Sequence, residues 1–407
     1  MPQSPTVGSF QLMKSLNRSL ILNTIREKGS ISRADIAKLT KLTPPTVSNI
    51  VKELLESKIV IEKSQGVSRG GRKPTMLVIN AEQFHVIGID VGPKDIKVVM
   101  TDLNGNIVEQ FQEDLTEGIT STELLELMKM SVLRLLPQKR KSNHNVIGIG
   151  VGMHGMVDVK QGISLFAPNL RLRDIPIKDY LEKEFRMLVK VENDARAMAL
   201  GESWFGSGNG ADSLVCVNVG RGIGAGIIID GKLFHGSHFI GGEIGHMTID
   251  INGPQCDCGN YGCLQSLAAG PVIAKRAAKR IAAGEQSLLT KLTGGRLQDI
   301  DGEKLHEAAK QGDALSKEIL RETGVYLGIG LTNLLHTVDP ARIVIGGGVS
   351  RSGDFVLDPV KETVKSRALT NSAKKTDIVQ SNLGEQATAL GAATLILVEL
   401  FSARRTA

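Results

Sequence analysis

VIGIDVG, residues 86–92, and LVCVNVG, residues 214–220, decide how the chain reads. Each is an apolar run closed by a glycine. The first leads through another apolar run to Asp102 and Gly105, the second to Asp230 and Gly231. A continuous apolar run is the mark of a buried strand, and glycine supplies the tight turn that follows it. Both stretches therefore predict strand, turn, strand and hairpin. Two such starts, about 130 residues apart, predict a duplicated α/β body of two lobes with a ligand cleft between them. The first start and GRGIGAG at 220–226 lie where a phosphate-cradling loop belongs in such a fold, although tight-turn geometry accounts for them equally well. IVIGGGV at 343–349 reads as a third buried strand, ending in a turn that a flat ligand such as adenine can abut.

With 407 residues, 41% of them hydrophobic, the chain is long enough for more than one packed domain. No uninterrupted apolar stretch approaches the roughly 18 residues of a membrane span, and no basic, apolar and small-residue sequence marks a secretory leader. The expectation is a cytoplasmic protein without a membrane partner. Three of its four cysteines, Cys256, Cys258 and Cys263, crowd together after His246 in GHMTIDINGPQCDCGNYGC. One imidazole and three thiolates form a closed tetrahedral set, so His246, Cys256, Cys258 and Cys263 predict structural Zn²⁺. Cys216, inside an apolar run, reads as core.

The net charge of +6 is unevenly divided: residues 1–80 carry 13 Lys or Arg against 5 Asp or Glu. The basic excess belongs wholly to this segment, as expected of a domain that meets phosphates. Apolar residues at helical spacing (Leu16, Leu20, Ile21, Ile25) predict a first helix ended by Gly29. Ser32 caps a short second helix over 33–39. Thr43 caps a third that opens on Pro44 and Pro45, with Val47, Ile50, Val51, Leu54 and Leu55 as its apolar stripe. Its opposite face offers Thr43, Thr46, Ser48, Asn49 and Lys52 to a major groove, and Arg33 stands at the start of the second helix. Two β-compatible stretches, 59–63 and 76–80, flank QGVSRGGRKP. That connection reads as a wing whose Arg69, Arg72 and Lys73 reach a minor groove, or as a solvated basic linker. The predicted DNA-binding unit is a winged helix-turn-helix over 1–80, with the body over 81–407.

In the body, Glu192-Asn193-Asp194 follows an apolar run and precedes a predicted helix, and Glu243 lies three residues before His246. A carboxylate beside an amide can grip paired sugar hydroxyls or act as a general base, and the same pair can cap a helix. Taken together these residues resemble the ROK family of repressors and sugar kinases. GGEIGHMTIDINGPQCDCGNYGCLQ, residues 241–265, carries the resemblance, and the helix-turn-helix with SRGGRKP is similar to the family's repressor branch. The resemblance implies an actin-like, hexokinase-like fold with lobes of 81–199 plus 385–407 and of 200–384, and a homodimer or homotetramer.

By the same resemblance, sugar contacts fall on Gly155, Asn169, Asn193, Asp194, Glu243, His246 and Gln265, with Asp194 matching the catalytic base of the family's kinases. The implied function is a repressor that binds double-stranded operator DNA under control of a monosaccharide, xylose or glucose, with an ATP-dependent sugar kinase as the alternative. Departures favour the first. The kinases' D-x-G-G-T-K is here DVGPKD at 90–95, with acidic Asp95 in the place of the lysine, and Arg221 replaces the threonine of their second loop. Gln265 replaces the signature's glutamate. No catalytic residue is assigned; Asp194 stands as a vestigial base.

Overall fold

The computed structural model describes residues 10–65, 74–136 and 145–402. Three helices open the chain: α1 (Phe10–Lys28), α2 (Arg33–Thr40) and α3 (Pro44–Glu56). Strands β1 (Ile31–Ser32), β2 (Val60–Gln65) and β3 (Thr75–Ile79) form a sheet of order β1-β3-β2, which completes a winged helix-turn-helix. The caps are the expected ones. Ser32 accepts from the Asp35 amide at 3.1 Å, and Thr43 accepts from the Thr46 amide at 3.5 Å. Val47, Ile50, Val51 and Leu54 are buried while Leu55 is only half-buried. The first helix differs from expectation: Ile21, Leu22 and Ile25 are its buried residues, and Leu16 and Leu20 remain exposed. The side that packs faces Ile36 of α2, Val47, Ile50, Val51 and Leu54 of α3 and Leu77 of β3 as well as the body, a selection periodicity alone does not show.

The body has two five-stranded sheets of the same topology. The first contains β4 (Phe84–Val91), β5 (Asp95–Asp102), β6 (Ile107–Asp114), β7 (Asn145–Met153) and β11 (Leu188–Asn193), in the order β11-β7-β4-β5-β6. A small antiparallel sheet, β8 (Met156–Asp158), β9 (Ile163–Ala167) and β10 (Leu172–Ile175), interrupts it. The second sheet contains β12 (Ser213–Val219), β13 (Ile223–Ile229), β14 (Lys232–Leu233), β15 (Arg342–Gly346) and β16 (Asp377–Gln380), ordered β14-β13-β12-β15-β16. In each, the first strand makes an antiparallel hairpin on one side and a parallel pair on the other. VIGIDVG and LVCVNVG are the two equivalent central strands. The duplication read from them is present strand for strand.

Two helices join the lobes: Asp194–Phe205, here the bridging helix, and the C-terminal helix Ala387–Phe401. The C-terminal helix lies directly on the first sheet, so closely that a Cβ on Gly150 would stand 1.7 Å from the Ala392 carbonyl oxygen. The bridging helix packs Met198 and Ala199 against Leu214, Cys216 and Ile228 of the second sheet. Where the two helices cross, a Cβ on Gly391 would stand 1.7 Å from the Ala197 carbonyl oxygen. Only glycine permits that approach. The expected lobe boundary at 199/200 falls inside the bridging helix.

The amino-terminal domain is not a separate bead. Ile21, Leu22, Ile25 and Leu77 share one apolar cluster with Val86, Leu103, Ala393, Leu397 and Phe401 of the body. Burial of this continuous surface, at roughly 25 cal/mol per Å² of apolar area, ties the two parts together.

Candidate functional site

β11 delivers Asn193 to the amino terminus of the bridging helix. Its Oδ1 accepts from the amides of Ala195 (3.0 Å) and Arg196 (3.1 Å). Its Nδ2 donates to the Gly155 carbonyl at 3.0 Å and to Asp194 Oδ1 at 2.9 Å. An amide has two acceptor and two donor positions, and all four are used. Asn193 is therefore a helix cap and also fastens Gly155 and Asp194. Gly155, at φ +89°, sits against Phe166 and Pro168 in the approach to the exposed β9–β10 turn that carries Asn169.

The carboxyls converge electrostatically. Burial raises Asp194 above the ordinary carboxylate range, opposed by His154, the Ala195 amide and Arg196. Burial likewise raises Glu243, with Arg196 opposing and Asp194 reinforcing. Asp90 is pushed up to about 8, first by desolvation and then by the charge of Asp194. Groups whose protonation is displaced in this way, gathered from both lobes, mark a candidate ligand site. The structure thus brings Asp194, Glu243 and Gly155 together. Asn169 approaches through Pro168, and no hydrogen bond joins it to the others among the described contacts.

The raised Asp90 has a stability consequence. A carboxyl raised from 3.8 to about 8 binds its proton in the folded state across a range where the unfolded chain has lost it. Its contribution is therefore complete at low pH and is lost as pH rises from about 4 through about 8. Asp90→Asn should flatten this part of the melting profile, with a higher Tm relative to the parent at pH 8.5 than at pH 5. A parallel profile for the two proteins would contradict the assignment.

The first phosphate loop is closed on itself. The Gly92 amide donates to the Asp95 carbonyl at 2.9 Å, and Gln112 donates to Asp95 Oδ2 at 2.6 Å. An anchored carboxylate thus occupies the turn in which the family's kinases have their lysine. Like charge on a phosphate approach is unfavourable.

His246, Cys256, Cys258 and Cys263 form the metal-capable cluster: their ligand atoms all lie within 4.8 Å of one another. Cys258 and Cys263 Sγ are 3.7 Å apart, and Cys256 Sγ is 3.8 Å from His246 Nδ1. Four ligands at about 2.3 Å from a tetrahedral centre are separated by about 3.8 Å. The donor set and its spacing fit a metal. Gln265 Nε2 donates to Cys256 Sγ at 3.4 Å, so the residue expected at the sugar also supports the cluster.

Three further residues escaped the sequence reading. Arg196 is 1% exposed and its Nε donates to Glu192 Oε1 at 2.7 Å. His235 Nε2 is 2.6 Å from Glu192 Oε2. His154 is buried with Nδ1 donating to the Val91 carbonyl at 3.0 Å. The usable signal was a lone Arg four residues after Glu192 in an otherwise apolar helix start.

On the DNA-binding domain, Thr43, Ser48, Asn49 and Lys52 are exposed on α3 and Thr46 is half-buried. Thr43 and Thr46 share a 2.9 Å hydroxyl contact, and Arg33 is paired with Glu62 of β2 at 2.7 Å. Arg69, Arg72 and Lys73 lie outside the described residues. Behind this face, the Arg26 guanidinium stacks 4.0 Å from the Trp204 ring centroid at the far end of the bridging helix. Ser19 and Asn23 donate to the Phe401 carbonyl at 2.5 and 3.0 Å, and Trp204 meets Phe401 edge-on at 5.7 Å.

These features define a protein class: a winged helix-turn-helix mounted on a duplicated, actin-like α/β body. Residues 15–61 match the winged helix-turn-helix DNA-binding family, and residues 86–399 match the ROK family. The chain belongs to the ROK family. It is 35% identical to the xylose repressor of Bacillus subtilis strain 168, over 96% of this chain and 97% of that one. A solved ROK family transcriptional regulator, a homolog of the Escherichia coli MLC protein, superposes with TM-score 0.85 at 29% identity, covering 96% of this chain and 97% of its own. A ROK family glucokinase from Streptomyces griseus, solved with glucose and AMPPNP, gives TM-score 0.68 at 34% identity over 76% of this chain and 98% of its own. Among the described residues no helix is long and apolar enough to cross a membrane.

Proposed function

We propose that this chain is a sugar-responsive transcriptional repressor, cytoplasmic and without enzymatic activity, which binds operator DNA as a homodimer or homotetramer and releases it when a monosaccharide fills the cleft. One observation carries the reading. A single 12-residue helix has Asp194 at one end and at the other Trp204, which holds Arg26 of the DNA-binding domain. At 1.5 Å per residue that helix spans about 18 Å, so a shift imposed at the sugar reaches the DNA-binding domain without passing through a loop.

The sugar contacts in this reading are Gly155, Asn169, Asp194, Glu243, His246 and Gln265, with Asn193 orienting them, and D-xylose or D-glucose as the effector. Zn²⁺ is the metal assigned to the cluster. With four protein donors it holds residues 246–263 in shape rather than activating water. His246 offers Nδ1 to the metal, which leaves Nε2 for a sugar hydroxyl.

On DNA, α3 presents Ser48, Asn49 and Lys52 to the major groove, with Thr43 and Thr46 at its cap and Arg33 at the flank. Arg69, Arg72 and Lys73 are assigned to the minor groove or adjacent phosphates. Binding to a duplex taken from upstream of the protein's own or neighbouring genes should weaken linearly on a log–log plot as salt rises. Salt-independent binding, or none, would sink the proposal.

The kinase reading draws on one observation, the retained Asp194 beside a cleft similar to a glucokinase's, and is opposed by Asp95 in the phosphate turn. Sugar phosphate formed from ATP and abolished by Asp194→Asn would favour it.

A further inference from the structure

Between β14 and Glu243 the chain runs through FHGSHFIGG, residues 234–242, before reaching the carboxylate and imidazole assigned to the sugar. No side chain in this stretch is fully buried, and Phe234, His238 and Ile240 are exposed. Something other than an apolar core must fix its course. We infer that Arg196 is a positioning residue for the ligand site: its guanidinium latches this segment to the bridging helix and so sets where Glu243 and His246 stand. The inference rests on the sugar-cleft reading above and adds the device that builds the cleft.

The latch has three attachments. Arg196 Nε donates to Glu192 Oε1 at 2.7 Å, which aligns the guanidinium plane. Nη1 then donates to the Phe239 carbonyl at 3.1 Å and the Gly241 carbonyl at 3.2 Å. On the other side of the carboxylate, His235 Nε2 lies 2.6 Å from Glu192 Oε2, while the Gly241 amide closes the loop on the His235 carbonyl at 3.0 Å. Glu192 is the shared anchor. It comes from the end of β11 in the first lobe, whereas His235, Phe239 and Gly241 follow β14 in the second. The latch therefore spans the lobes at the point where the ligand residues converge.

Charge neutralisation alone does not explain the choice of arginine. A buried ion pair is often no more stabilising than apolar side chains of the same volume. A planar guanidinium, however, presents donors on separate nitrogens at fixed angles, here Nε to the carboxylate and Nη1 to two carbonyls of another segment, whereas the three donors of an ammonium turn freely about one nitrogen. The same cation also faces the carboxyls of Asp194 and Glu243 and opposes the effect of burial on both. Burial would raise Glu192 too, yet the hydrogen bond from His235 and the charge of Arg196 hold it below its ordinary range. It remains an anion able to anchor the fork.

Arg196→Lys separates position from charge. Amide hydrogen exchange in the full-length protein should quicken at least tenfold across residues 236–242, with the second-lobe core unchanged. Calorimetry with D-xylose and D-glucose should show at least a tenfold loss of affinity for whichever sugar the parent binds. Parent-like exchange in this segment would overturn the inference. If Arg196→Lys fails to fold, Glu192→Gln combined with Arg196→Met removes both buried charges at similar volume, and the same exchange result decides. A parent protein that binds neither sugar would contradict the sugar reading, and the exchange comparison would still settle the latch.

Discussion

Cys258→Ser is expected to strip the metal from the protein and to weaken sugar binding at least tenfold while leaving the body folded. Cys258 is exposed, so the exchange of sulfur for oxygen opens no cavity. Its cost falls on the metal. Structural zinc contributes on the order of 10–16 kcal/mol of apparent binding energy in small zinc domains, and loss of one ligand in four removes a large part of it. Even altering a residue outside the ligand set typically costs about 10- to 100-fold in metal affinity.

The effect should stay local. Among the described residues, the cluster segment is held by the bridges Thr248–Cys263 and Gln255–Tyr261 and by turns; its flanking Ile244 and Leu264 join the second-lobe core, most of which comes from elements outside the segment, β12, β13, β15 and the long helix Ala314–Val338 among them. Without the metal, His246 loses the partner of its Nδ1 and Gln265 loses a thiolate acceptor. Metal content by mass spectrometry and the d–d spectrum of the cobalt-loaded protein read the loss of the metal, calorimetric titration reads the loss of sugar affinity, and circular dichroism reads the retained fold. If both metal content and sugar affinity survive, the cluster is not a metal site.

Trp204→Ala is the second large effect, and it should act on coupling rather than on either binding event. Trp204 stacks on Arg26 of α1 and meets Phe401, and it takes no part in the ligand site or the DNA face. A cation–π contact contributes about 0.5–2 kcal/mol and an aromatic pair about 0.5–1.5 kcal/mol. Allosteric couplings are usually about 1–3 kcal/mol, or roughly 5- to 150-fold in affinity. The contact is therefore of the right size to transmit most of the signal. Sugar affinity without DNA and DNA affinity without sugar should each change only a few-fold, while the factor by which sugar alters DNA affinity falls about tenfold or more. Reciprocity gives an internal check, because DNA must then lose its effect on sugar affinity by the same factor. An undiminished factor would place the signal elsewhere.

The duplication was legible because both central strands are largely buried, are followed by glycine, and lead through a second apolar run to an Asp and a Gly, Asp102 and Gly105 in one copy and Asp230 and Gly231 in the other. The His246 cluster was legible because metal chemistry needs particular donors at close spacing. The first helix was legible and its packing face only in part: the spacing picked out Ile21 and Ile25, which are buried, but also Leu16 and Leu20, because periodicity reports that a face exists while the face that packs is selected by α2, α3 and β3 together with the C-terminal helix, more than 350 residues away in sequence. β1 went unseen since two residues, Ile31 and Ser32, make a strand too short to have a period, and Ser32 also serves as a helix cap. In the site, Asn193 was read as a sugar ligand or a cap, and its four filled hydrogen-bond positions show it at work as a cap. Arg196 was missed although its spacing from Glu192 was visible, because its other partners, Phe239 and Gly241, offer backbone carbonyls, which leave no trace in residue identity.

The measurement closest to the central claim follows a fluorescent duplex from upstream of the protein's own gene by anisotropy while D-xylose or D-glucose is added to the preformed complex. The account predicts that one of these sugars lowers DNA affinity at least fivefold, at the concentrations where calorimetry shows it binding the free protein. DNA affinity that is unchanged or raised at saturating sugar would contradict it.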